Sequence, residues 1–296
     1  MPPASALWLL ADSRLPTGSH AHSGGLEAAV RRGLVRVPDD VAAWLAGRVP
    51  TAGLVTAAAA AAACARVGCA TEGGAPSLDS MDEERPSPEP ERSAGTERGA
   101  PSLDSMGEER PSPELGPPTR GDDPVVLNDS RFPSRSGTSE IDWVPWDAAV
   151  SARTPVAALR EVSRAQGRAM LRTVRAAWPH AVVDGLGARP HQALVLGVVT
   201  AAAGGSAHDA AALAVHHLVG QVCSAGVRLL GLDPLALAGV HARALEEHAG
   251  VVDRATDAGT RAAARDSPDL LPTATTPLPE VLAVVHARSE GALFAS

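Results

Sequence analysis

The sequence predicts an all-α protein, a single-domain helical bundle interrupted by a disordered low-complexity insertion. Three observations carry this. Apolar residues recur at three- and four-residue steps over several long stretches, the spacing of a helix face turned to a core. No segment shows the period of two that a half-buried strand requires. One central stretch, rich in Pro, Ser, Glu and Gly, contains an internal repeat.

Taken in order, "GGLEAAVRRG" reads as a helix that stops at Gly33. Asp39 or Asp40 caps "VAAWLAGRV", which Pro50 interrupts, and the Ala-rich run from Leu54 to Val67 is helical by propensity. "GAPSLDSMDEERPSPE" begins at Gly74 and "GAPSLDSMGEERPSPE" at Gly99. Such segments bury too little apolar surface to offset the entropy of ordering, so 71–140 is expected to be a disordered insertion. Residues 1–70 and 141–296 then form the helical domain, about 226 residues together, a comfortable size for one domain.

After the insertion, Val156, Leu159, Val162, Ala165, Ala169, Met170, Val174 and Ala177 mark a helix with a core-facing stripe, ended by Pro179. "HQALVLGVVTAAAGG" is a shorter apolar helix closed by Gly204 and Gly205. Ser206 and Asp209 form a capping-box pair for "AHDAAALAVHHLVGQVCSAGVRLLG". That helix is apolar nearly all round, which predicts the buried centre of the bundle. Asp233-Pro234 caps "LALAGVHARALEEHAG", which Gly250 ends.

Composition excludes several functions. The net charge is -8, opposite to what a phosphate backbone selects. Aromatic residues make up 2% with no Tyr, which removes base-stacking platforms. None of the 26 basic residues is Lys, so there is no P-loop lysine, Schiff-base lysine or lysine general base. The most apolar run, between Arg48 and Arg66, is broken by Pro50 and Gly53 and is mostly Ala, too weak to span a bilayer. The opening residues lack a basic n-region, and three Cys in so long a chain predict no disulfide framework. A cytoplasmic protein is expected.

Each candidate site has a plain alternative. His20 and His22 are either ligands of a transition metal or polar loop residues bonded to backbone or a partner; no cluster nearby completes a site. Pro16, Gly18, Gly24 and Gly25 give that loop turn chemistry and close chain approach. Glu27 suits a helix first turn or an outward aim at another protein, and an outward aim predicts that Glu27→Ala leaves the fold intact. His216 and His217 read as satisfied core histidines, while His241 and His248 lack a completing ligand, as does Cys64-x4-Cys69. Arg164, Arg168, Arg172 and Arg175 form a basic ridge, either solvated or docking an acidic surface. Leu293 and Phe294, in the last four residues, either tuck into their own domain or anchor on a partner.

Leu15, Pro16, Gly18, Ser23, Gly25, Leu26 and Glu27 in "LPTGSHAHSGGLE" match, position for position, the N-terminal signature of the urease accessory protein UreF family. Val227, Arg228 and Leu229 are similar to its V-R-L segment. Thr276, Pro277, Leu278, His286, Leu293, Phe294 and Ser296 fall in register on its C-terminal pattern. The resemblance spans the chain from about Leu7 to Ser296 apart from the insertion. It implies a dimerising all-α accessory protein, not an enzyme, that bridges UreD (also called UreH) and the nickel-binding GTPase UreG. Together they deliver nickel to apo-urease. Leu15, Pro16, Gly18, His20, His22, Ser23, Gly25, Leu26, Glu27, Arg228, His286, Leu293, Phe294 and Ser296 are then the expected partner-binding residues. No cofactor is held tightly; nickel passes in transit, with His20 and His22 as its candidate contacts. Two alternatives stand beside this reading: an all-α metal-dependent enzyme using His20 and His22, and a helical scaffold unrelated to nickel.

Overall fold

The computed structural model describes residues 3–12, 23, 25–72, 141–177 and 180–287, and among them it is all-α, with no strand. The stretch expected to be a disordered insertion lies outside the described residues from 73 onward. Before it come α1 (Pro3–Ala11), α2 (Leu26–Arg31), α3 (Pro38–Arg48) and α4 (Leu54–Glu72). After it come α5 (Val144–Ala152), α6 (Ala157–Ala177), α7 (Ala181–Asp184), α8 (Gln192–Ala202), α9 (Ala207–Leu230), α10 (Pro234–Glu247), α11 (Ala249–Ala264) and α12 (Pro277–His286). Helices from both sides contribute to one core.

Two caps stand as the sequence predicts. The Asp209 N–H donates to Ser206 Oγ (3.1 Å) while Asp209 Oδ2 accepts from the Ser206 N–H (2.8 Å), and Asp233 Oδ1 accepts from the Leu235 N–H (3.0 Å). Asp40 caps from inside α3, accepting from the Arg36 and Val37 N–H groups at 2.8 and 3.1 Å. Gly250 does not end a helix: α10 stops at Glu247, and Gly250 sits in the first turn of α11.

Pro50 does not break the chain's helical path either. A π-helical turn, Val49–Gly53, joins α3 directly to α4. The proline has no N–H to offer and its ring would crowd an α-turn; the wider turn absorbs both, and the Thr51 hydroxyl donates to the Gly47 carbonyl (2.7 Å). The expectation of an interrupted run is therefore corrected. The stretches Pro38–Gly68 and Ala207–Leu230 both have the length and composition of a membrane span, and in each the most apolar 18-residue window is at least half buried.

The buried centre is α4, where α9 was expected. Ala57 through Ala63 are all fully buried, with α8, α9 and α11 packed around them. Two glycines make this closeness possible. A Cβ on Gly197 of α8 would lie 2.1 Å from the Ala60 carbonyl oxygen, and one on Gly259 of α11 would lie 2.6 Å from that of Ala58. Neighbouring helices thus rest on the α4 backbone itself. α9 keeps one face on this core, but Arg228 in its last turn is exposed and Gly231 closes it with φ 63°.

A methyl group at either glycine must push a helix away from a backbone that cannot yield. Gly259→Ala is expected to lower unfolding free energy by about 2–3 kcal/mol, read from urea denaturation; a loss within error of zero would show that the helices have room to separate.

Candidate functional site

The motif residues from the two ends of the chain meet at one place. Gly25 adopts φ 83°, which only glycine takes without strain, and turns the chain into α2. The space where its side chain would stand is bounded by Arg48 Nη1 at 3.6 Å, Trp44 Cζ2 at 3.7 Å and the Pro279 carbonyl oxygen at 3.9 Å. Those atoms belong to α3 and α12. Ser23 Oγ accepts from the Glu27 N–H (3.3 Å), satisfying a first-turn donor of α2.

Glu27 does not face outward. It is 1% exposed, with Oε1 accepting from Arg31 Nε (3.2 Å) and Oε2 3.5 Å from Nε2 of His286. His286 ends α12 and is itself 4% exposed. Pro279, Leu282 and Ala283 turn the same face of α12 inward. At the other end of α12 the Thr276 hydroxyl contacts the Thr51 hydroxyl in the π-helical turn. The expectation of a surface-aimed Glu27 is corrected accordingly: α12 covers it, and its carboxylate is used to hold the last described helix against α2.

Of the other expected partner-binding residues, Ser23, Gly25 and Leu26 are buried in this junction, while Arg228 lies on the surface at the end of α9. Leu15, Pro16, Gly18, His20, His22, Leu293, Phe294 and Ser296 lie outside the described residues. The first five lie in the stretch of chain before Ser23, and the last three in the stretch after α12. Both expected handles therefore depart from one fastening point.

The histidines of α9 hold α1. His217 Nε2 lies 2.8 Å from the Leu10 carbonyl oxygen and His216 Nε2 3.1 Å from that of Ala11, so each ring donates to an open carbonyl at the end of α1. His216 Nδ1 is then an acceptor, and His241 Nε2 of α10 lies 3.2 Å from it. His216 is thus a satisfied core histidine, as expected, whereas His217 is held through Nε2 with its Nδ1 left unpartnered; the approach of His241 joins two helices and left no trace in local spacing. Among the described residues no group of three or more His, Cys, Asp or Glu side chains is arranged to hold a metal ion. The Cys64 and Cys223 thiols are pushed up to about 12 and about 11, chiefly by burial, so both are neutral thiols at neutral pH.

A second polar cluster ties α5, α6 and α8. His191 lies 2.9 Å from Ser151 Oγ through Nε2 and 2.9 Å from Ser163 Oγ through Nδ1. Arg164 forks onto Asp147 at 2.7 and 3.1 Å and donates to Ser151 Oγ at 3.0 Å. A serine against an imidazole is how nucleophilic catalysis starts. Here burial, and next the Arg164 charge, lower the His191 pKa to about 4, too weak a base for a serine proton at neutral pH. Its second nitrogen meets a hydroxyl where an orienting carboxylate would serve catalysis. The cluster is a staple. It also claims Arg164 from the basic ridge, as Asp184 claims Arg175 at 3.0 Å.

Burial likewise lowers His217 and His241 to about 4, both helped by His216. The unfolded chain takes up these protons as pH falls below the ordinary value near 6.5, whereas the folded protein refuses them until about pH 4. Their contribution to stability is complete above 6.5 and disappears toward 4. The urea midpoint is expected to hold from pH 8 to 7 and to fall steadily between 6.5 and 4, less steeply in His241→Gln; a profile unchanged by that substitution would deny His241 its part. Removing the Glu27 carboxylate leaves the buried His286 facing an apolar gap, while Arg31 keeps its contact with water, so Glu27→Ala is expected to cost about 2–4 kcal/mol of stability. Retention of the wild-type urea midpoint would refute the fastening role.

Comparison with known proteins places these features in a family context. A family model described as UreF matches residues 134–245. A urease accessory protein UreF of Mycolicibacterium vanbaalenii is 34% identical over 99% of this chain and 98% of its own length. That of Mycobacterium marinum is 31% identical over 98% of this chain and 97% of its own. That of Mycobacterium tuberculosis is 30% identical over 78% of this chain and 74% of its own.

Proposed function

The chain belongs to the urease accessory protein UreF family, and from that premise we propose that it serves urease maturation by joining two other proteins. One is UreD/UreH, which contacts apo-urease; the other is the nickel-binding GTPase UreG. Binding the nucleotide states of the GTPase with different affinities would couple GTP hydrolysis to nickel delivery, since a bound protein shifts an equilibrium only through such a difference. Nickel is cargo in this reading, with His20 and His22 as passing contacts, and the protein works in the cytoplasm as a homodimer.

The single observation behind the reading is the contact between Glu27 and His286. It anchors the base of the signature loop and the base of the C-terminal tail to the same spot, so both handles spring from a rigid mount. The acidic net charge and the absence of Lys fit a protein that acts through surfaces. Arg168 and Arg172, on the part of the α6 ridge not committed to internal carboxylates, are a further place for an acidic partner face.

Co-purification of the full chain with a nickel-binding GTPase and UreD/UreH is the direct test; failure to retain either partner under conditions that assemble a related complex would reject the bridge. Phe294→Ala is expected to weaken the UreD/UreH complex by about 1–3 kcal/mol, as for an aromatic anchor, measured by titration calorimetry, and an unchanged affinity would remove the tail from the interface.

A further inference from the structure

Arg48 is the most anomalous side chain in the described protein. It is 8% exposed, and its Nε is buried without a partner. No described residue supplies a hydrogen-bond acceptor or an ion pair to its guanidinium; the Pro279 carbonyl oxygen, though near Gly25, makes no such bond. Burial lowers its pKa to about 10, against which the nearby Glu280 acts in the raising direction. The side chain therefore stays charged at neutral pH. A cation removed from water without a counter-charge is among the costliest arrangements in a fold.

The guanidinium lines a cavity of about 150 Å³ between α3, α6, α8, α9 and α12. Gln166 and Gln192 also line it. Gln166 is 5% exposed, and among the described residues neither side-chain amide has a hydrogen-bonding partner. His217 stands on the wall with its Nδ1 buried and unpaired. Buried polar groups in native proteins are almost always satisfied, so the unpartnered Arg48 Nε and His217 Nδ1 around one chamber imply a polar guest. Glu280 is the one described carboxylate on the wall and forms no ion pair with Arg48, so it leaves the guanidinium itself uncoordinated.

We propose that this chamber is a binding site for a small planar oxyanion of carboxylate size, held by the Arg48 guanidinium and the amides of Gln166 and Gln192. An anion with two oxygens in a plane matches the donor fork of a guanidinium, and the chamber is too small for a nucleotide or a peptide side chain with its backbone. Formate and hydrogencarbonate are the natural members of this class, differing in that hydrogencarbonate adds one O–H donor that the His217 Nδ1 can accept. The site is independent of the bridging function.

The test is thermal melting of the full chain in sodium formate, sodium hydrogencarbonate and sodium chloride at matched pH and ionic strength, with saturation transfer to the formate proton as a second readout. Expected is a midpoint that rises with the logarithm of formate or hydrogencarbonate concentration and not with chloride, together with a saturation-transfer signal. A rise with both anions assigns the site to the planar oxyanion generally; a rise with formate alone assigns it to carboxylates, and with hydrogencarbonate alone to an anion that also donates. Arg48→Gln should abolish the rise. If that variant does not fold, Gln166→Leu, which leaves the charge in place, should reduce it at least several-fold. Equal midpoints in all three salts with no saturation transfer would show a chamber filled by water only, and a rise that survives Gln166→Leu and Arg48→Gln unchanged would place the anion elsewhere; either result overturns the proposal.

Discussion

Backbone-to-backbone approach at α4 is the constraint on which the rest of the protein depends. Seven consecutive alanines, Ala57 to Ala63, are buried on every side, so this stretch of the helix leaves no face to solvent and carries no bulky side chain. Alanine contributes little apolar area per residue; the gain comes instead from letting α8 and α11 sit on its backbone through Gly197 and Gly259. Dense contact of this kind recovers by dispersion what the small side chains lack in area. It also makes the centre intolerant of any added carbon, while larger residues such as Leu194, Leu196 and Val215 fill the outer layer.

Around that hub the polar groups are arranged as ties between helices that would otherwise share little surface. His216 and His217 hold the end of α1, His191 and Arg164 hold α5 and α6 to α8, and Glu27 with His286 holds α2 to α12. The Glu27–His286 tie is fully buried and the others partly so, which specifies a unique packing more than it adds net stability. Among the described residues, the reactive-looking groups are spent on architecture.

Much of this was legible in the sequence, for identifiable reasons. The helical class, the long α6 stripe and the caps at Ser206 and Asp233 follow from local patterns, since their partners lie within four residues. The role of α4 was hidden because an alanine run has no amphipathic stripe; only the glycines that touch it, far along the chain, reveal that it is central. Periodicity likewise gave no warning of α11 or α12. The family motifs marked Ser23, Gly25, Glu27 and His286 as important, yet could not tell an exposed contact from a buried tie, because a carboxylate's surroundings are set by residues far away in the chain. Arg48 carried no signal at all: one arginine in a helical stretch is ordinary until its neighbours are known.

The π-helical turn at Val49–Gly53 has a consequence for how this sequence can change. Such a turn holds one more residue than an α-helix would need for the same climb. Losing a single residue there would restore an ordinary helix and rotate everything beyond it by about 100°, the angular step of one residue. α3 and the junction around Gly25 would stay in place, while the alanines of α4 would turn away from Gly197 and Gly259 toward side chains that have no room for them. The length of this short segment is therefore locked: point substitutions within it can be absorbed, but a one-residue deletion puts the two halves of the longest helical run out of phase.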